Sequence, residues 1–267
     1  MSNLVDSLRN ATVYDLAQPY FPGMPHFPTH PPFLFGLTKK HGDLVTEGGV
    51  SSSADALALG SHVGTHIDAL CHFSCGGKLY GGIDVKPLQS DVGGIQKYSV
   101  DTIAPILRRG VLLDIASHVS MEALTVDFVI TPAHLEAAAK AQNVSVAKGD
   151  VVLLRTGWAR FWSNAARYIT GGKGTVACGP GPELEAARWL SSKGIFAAGS
   201  DTVAFERVPA AEMPVHVHLL VESGIHIIEA LNLEEIARRK VYEFAFVGTP
   251  LKIRGATGSP IRPLALA

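Results

Sequence analysis

Between residues 62 and 72 the chain reads His62-Val-Gly-Thr-His66-Ile-Asp68-Ala-Leu-Cys-His72, three imidazoles and a carboxylate within eleven residues. Imidazole and carboxylate together, without a thiolate in the set, suit a divalent ion such as Zn, Mn, Fe(II) or Co. Two histidines and an aspartate, His62, His66 and Asp68, leave coordination positions open. An open position is what makes water a nucleophile near neutral pH. His72 is then either a further ligand or a proton carrier. Hydrolysis of an amide needs a proton for the leaving nitrogen, which favours the second role.

The backbone must make these groups converge. On one helix, Asp68 and His72 would point away from His62 and His66. On an extended chain all four occupy even positions and share a face, so the spacing predicts a strand over 54–68. A straight strand would separate the Cα atoms of His62 and His66 by roughly 13 Å, too far for one ion. The strand must therefore bend, and Gly64, without a Cβ, is the residue that permits it.

The run resembles the signature of the cyclase family of metal-dependent hydrolases, H-x-G-T-H-x-D-x-P-x-H, which includes bacterial kynurenine formamidases and isatin hydrolases. Leu70 and Cys71 stand where the family has a proline nearby. Further segments match in order: Val13-Tyr-Asp-Leu, Phe21-Pro-Gly-Met-Pro, Val151 to Gly157, Gly199-Ser-Asp201, Met213-Pro-Val-His216 and Gly224 to Glu229. The resemblance implies that His62, His66 and Asp68 hold metal and that His72 is catalytic. It also implies that Glu229, with a histidine downstream of the motif, orients water or holds a second ion. That histidine is His216 or His218, which would share a face if the segment were a strand. The implied cofactor is one or two Mn2+ or Zn2+ ions. The implied fold is α/β, a β-rich swivelling β/β/α domain with a barrel-like mixed sheet and flanking helices, assembling as homodimers or homotetramers.

Composition sets outer limits. With 47% apolar and 18% charged residues and a net charge of −1 over 267 residues, the chain reads as one well-packed domain over 1–267, with no nucleic-acid or membrane role. Three cysteines without a C-x-x-C pair suit a reducing compartment. The start of the chain shows no secretory pattern, so a cytoplasmic location is expected.

Elements alternate along the chain. Residues 12–16 read as a strand. Residues 19–33 carry six prolines and four aromatics, too many prolines for regular structure; this loop offers Phe21, Met24 and Phe27 as pocket walls, with Trp158 reaching over from a strand end. Buried strands are expected at 110–116, 150–155, 195–199 and 225–229, the last after a short helix or turn following His216, and helices at 132–142, 182–193 and 233–239. Residues 242–248 and 251–254 read as a hairpin turning at Gly248-Thr-Pro. His26, His30, His41, His118 and His134 have no partner at ligand spacing and read as surface or loop residues.

The expected activity is metal-dependent cleavage of an amide C–N bond in a small aromatic or cyclic molecule. The length and the C-terminal stretch from Arg254 to Pro260 resemble the longer, isatin hydrolase-like branch. Two other classes fit parts of the pattern. One is an Fe(II) oxygenase using His66-x-Asp68 and a distant histidine, which leaves His62 and His72 without a role. The other is a metal-stabilised binding protein without turnover.

Overall fold

In a computed structural model, which describes residues 4–172 and 174–267, nine strands form one curled mixed sheet with helices flanking it. In chain order the strands are β1 (Val13–Asp15), β2 (His66–Asp68), β3 (Ile106–Asp114), β4 (Val151–Arg155), β5 (Ala197–Ser200), β6 (His226–Glu229), β7 (Glu243–Gly248), β8 (Gly258–Pro260) and β9 (Leu264–Leu266). Across the sheet they run β1-β9-β7-β3-β4-β5-β6-β2-β8. The central strands β3, β4, β5 and β6 are parallel, and the outer pairs are antiparallel.

Alternation along the parallel strands divides the core in two. Val111, Leu113, Val152 and Leu154 face one side, where the helices Pro132–Gln142 and Leu184–Ser192 pack. Leu112, Val151 and Leu153 face the hollow of the curl with Ile67, Phe246 and Ala265. Apolar residues on both faces are what strands buried between two layers require. Among the described residues, no helix is long and apolar enough to cross a membrane.

Two expectations are corrected. The strand over 54–68 is two separate pieces: Ala54–Ala58 pairs with Leu34–Lys39 in an exposed hairpin, and only His66–Asp68 joins the main sheet. The chain between them turns at Gly64, whose φ of +70° leaves the extended region. A Cβ there would stand 2.3 Å from Tyr20 Cζ, and the Tyr20 hydroxyl lies 2.9 Å from the carbonyls of both Val63 and Thr65. The bend is therefore held from the proline-rich loop. The C-terminal hairpin is absent as well. β7 is already paired on both edges, with β3 and β9, so residues 251–254 find no free edge after Pro250. The short helix or turn expected after His216, before the strand 225–229, is present, so His216 and His218 do not share a strand face. Pro214 opens a turn, Pro214–His216, that continues as a π-helix over Val217–Ser223; two residues along a helix differ by about 200° in direction rather than sharing a face.

Candidate active site

The short strand β2 carries His66 and Asp68 on one face, with Ile67 buried on the other. β6 runs antiparallel beside it and places Glu229 opposite His66, the arrangement in which cross-strand side chains meet. β8 borders β2 on its other edge, and Gly258 there leaves room for the His62 ring: a Cβ would lie 2.5 Å from its Cε1. His62 reaches in from the turn before β2, with Nδ1 2.7 Å from Asp68 Oδ1 and Nε2 2.8 Å from Thr257 Oγ1. His72, past the strand, stacks on His62 at a centroid separation of 3.8 Å.

The outcome is a buried cluster centred on Asp68. His66 Nε2 stands 3.5 Å from Asp68 Oδ1 and 3.4 Å from Glu229 Oε2. His216 Nε2 stands 3.2 Å from Glu229 Oε1 and 4.0 Å from Asp68 Oδ2. Two sets of donors, His62-Asp68-His72 and His66-Asp68-Glu229, are each close enough together to hold an ion, and Asp68 belongs to both.

Hydrogen bonding fixes which nitrogen faces inward. His66 Nδ1 lies 2.8 Å from the Gly64 carbonyl, which can only accept, so this nitrogen carries the proton. Glu206, fully buried, accepts from His216 Nδ1 at 2.7 Å and from the His216 backbone N–H at 2.9 Å. Both inner Nε2 atoms thus point at carboxylates, and His66 Nε2 is buried without a hydrogen-bond partner. A lone pair aimed at two carboxylates is repulsive unless a positive charge lies between. Protonation is one source. Burial alone would lower the pKa of His66, but Asp68 and Glu229 outweigh it and push the group up to about 10. Burial likewise opposes a charge on His216, and Glu206 and Glu229 push it to about 10. A divalent cation is the other source, and imidazole with carboxylate is a fitting donor set for one. The residues fit a metal.

Beside the cluster lies a cavity of about 180 Å3, lined by Phe27, Thr29, His30, His72, Phe73, Val203, Ala204, Met213, His216 and Glu229. Burial lowers the pKa of His72 to about 3, keeping its ring neutral. Among the described residues its ring nitrogens make no protein hydrogen bond, so they remain available to a ligand.

The structure thus brings His62, His66, Asp68, His72, His216 and Glu229 together. His218 is elsewhere: its Nδ1 is 2.7 Å from Glu222 Oε2 and its Nε2 2.8 Å from Ser191 Oγ. Phe27 lines the cavity, whereas Met24 and Trp158 are buried in an apolar cluster behind it, against which Phe21 packs. Trp158 Nε1 donates to the Tyr168 carbonyl. Asp201 accepts from the N–H groups of Thr156 and Gly157 and from the Thr156 hydroxyl, bracing the turn after β4. Sequence reasoning missed Glu206, His30 and His226, whose Nδ1 lies 2.9 Å from the Asp68 carbonyl. His30 sits in a loop, as expected, and its ring lines the cavity. A signal for Glu206 existed only in its being a lone acidic residue within Thr202 to Val208.

A curled mixed sheet with this His and Asp strand paired between β6 and the edge strand β8 defines a class. The profile of the cyclase family matches residues 14–207, and the chain belongs to that family. It is 29% identical over 214 residues to the isatin hydrolase of Roseibium aggregatum, covering 79% of this chain and 73% of that protein. It is 26% identical over 250 residues to a kynurenine formamidase of Bacillus cereus, covering 93% of this chain and 94% of that one. The crystal structure of a novel cyclase superposes with a TM-score of 0.87 at 27% identity, over 98% of this chain and 89% of the other.

Proposed function

We propose that the protein hydrolyses an amide C–N bond of a small aromatic or cyclic substrate, using Mn2+ or Zn2+ at the buried cluster. The observation that carries this reading is the unpartnered His66 Nε2, aimed between two carboxylates beside a small cavity. Relatedness to an isatin hydrolase and a kynurenine formamidase supports the same class.

His62, His66 and Asp68 would hold one ion, and Glu229 and His216, with Asp68 shared, would hold a second. The chemistry such an ion supplies when bound is Lewis acidity, which makes water a nucleophile near neutral pH and polarises a carbonyl oxygen. Glu206 keeps His216 in the tautomer that presents Nε2. His72, neutral and open to the cavity, takes the proton of the attacking water and returns it to the leaving nitrogen as the C–N bond breaks. Phe27, Phe73, Val203 and Met213 give the cavity apolar walls suited to a flat ring. The oxygenase alternative uses only His66, Asp68 and His216 of a cluster that offers more, and leaves His62, His72 and Glu229 without a role.

The test is metal analysis of purified protein, followed by a screen of isatins, N-formyl arylamines and cyclic imides. The expected result is bound divalent metal and ring opening or deformylation that disappears on chelation. Full turnover by metal-free protein would overturn the proposal.

A further inference from the structure

His30 belongs to no part of the machinery described above, yet its ring is placed with care. Its centroid lies 5.3 Å from that of His62 and 6.4 Å from that of His72, and it lines the cavity. Its backbone N–H donates to the Phe27 carbonyl, closing a turn. Pro31 and Pro32 follow, and a residue before proline is confined to extended backbone. Pro31 is packed so closely on Gly60 that a Cβ there would lie 3.0 Å from Pro31 Cδ, and Phe33 is buried in the apolar cluster. The loop that carries His30 is therefore held on both sides.

The two ring nitrogens have different duties. Nδ1 lies 3.3 Å from the His62 carbonyl oxygen. A carbonyl only accepts, so Nδ1 carries the proton and Nε2 of the neutral ring carries a lone pair. Nε2 has no hydrogen-bond partner among the described residues. A fixed acceptor on the wall of a small cavity is complementary to a donor on whatever enters.

Building on the hydrolase reading, we propose that His30 Nε2 accepts a hydrogen bond from the substrate N–H, so that the site selects secondary amides over their N-alkylated counterparts. Sites built around a polar contact discriminate sharply, because the mismatched ligand leaves a buried polar group unpaired.

The experiment compares isatin with N-methylisatin, in turnover and in direct binding by calorimetry, for the metal-loaded wild type and two variants. His30→Asn retains an N–H near the position of Nδ1 and removes the acceptor; His30→Gln places an amide oxygen near the position of Nε2. The wild type is expected to prefer isatin by about tenfold or more. His30→Asn should lose that preference and His30→Gln should keep most of it, in kcat/KM and in Kd alike. Taking the ratio of preferences between variants cancels the intrinsic reactivity of the two probes. An unchanged preference in His30→Asn, or none in the wild type, overturns the proposal, and the second outcome needs no variant to fold. Preferential binding of isatin without turnover would count against the hydrolase reading while supporting the role of His30. Turnover without any N–H preference would do the reverse, and neither binding nor turnover of either probe overturns both.

Discussion

The two halves of the site are built in different ways. One half, His62 to His72, is local: a turn, three residues of strand and the bend beyond them, all within eleven residues. The other half, His30, Glu206, His216 and Glu229, is assembled from four distant segments by the curl of the sheet and the loops over it. The local half supplies the shared carboxylate, Asp68, and the free imidazole, His72. The assembled half supplies charge and orientation: Glu229 opposite His66, Glu206 behind His216, His30 across the cavity. A motif can thus set the chemistry, while surroundings remote in sequence determine how each of its nitrogens is used.

If the local half is the chemical centre, the largest effect should come from the residue both donor sets share. Asp68→Asn is expected to remove bound metal and to lower kcat/KM on the order of a thousandfold or more, several kcal/mol of Lewis-acid stabilisation being lost. Metal analysis alongside kinetics checks it, and a metal-replete, active Asp68→Asn protein would break the comparison. His72→Ala should cost about 10²- to 10⁴-fold in kcat with metal content unchanged. Loss of metal in that variant would instead make His72 a ligand, as its place in the His62-Asp68-His72 set also allows.

These first two predictions rest on residues that were legible in the sequence, for a physical reason. Ligands within one bent segment must be near each other whatever the rest of the fold does, and Gly64 announced the bend. Glu229 was readable through resemblance, and the apolar runs foreshadowed β3, β4, β5 and β6. The choice between His216 and His218 was not legible, because a short helix or turn points the two in different directions and only tertiary packing decides which one faces Glu229. Glu206 and His30 were hidden for a stronger reason: their roles consist of long-range contacts, to His216 and to the His62 carbonyl, which follow from tertiary packing.

The assembled half should respond more gently. Glu206→Gln keeps the shape of the side chain but weakens its hold on His216 Nδ1–H, and a lost partner of this kind typically costs 10- to 100-fold in metal affinity. Competition with a chromophoric chelator would measure it, and an affinity equal to wild type would show that Glu206 merely fills space.

Removing metal should expose the electrostatic side of the same contrast. In metal-free protein, His66 and His216 are raised from an ordinary 6.5 to about 10: burial opposes their charge, but Asp68 and Glu229 around His66, and Glu206 and Glu229 around His216, prevail. Groups whose pKa is raised by folding stabilise the fold fully below the unfolded value, and that contribution is lost as pH rises through the folded one. Chelator-treated protein should therefore lose Tm steadily from about pH 7 to pH 10. Metal-loaded protein should hold its Tm over the same range, since a cation takes the place of the protons. Parallel curves for the two forms would remove the case for charge balance at the cluster.

The smallest effect is expected at His218, and it sharpens the comparison by its smallness. His216 and His218 are two residues apart in one helical segment, and either could have been the ligand. The helix turns His216 toward Glu229 and sends His218 to Glu222 and Ser191, at the rim of the fold. Glu222 is 60% exposed on its side chain, so the pair is well solvated and worth at most about 1 kcal/mol. His218→Ala should accordingly leave kcat, KM and metal content at wild-type levels and lower stability by no more than about 1 kcal/mol in urea titration. A His218→Ala protein that lost metal would mean the segment adopts another rotation when loaded, and the assignment of His216 to the site would fail with it.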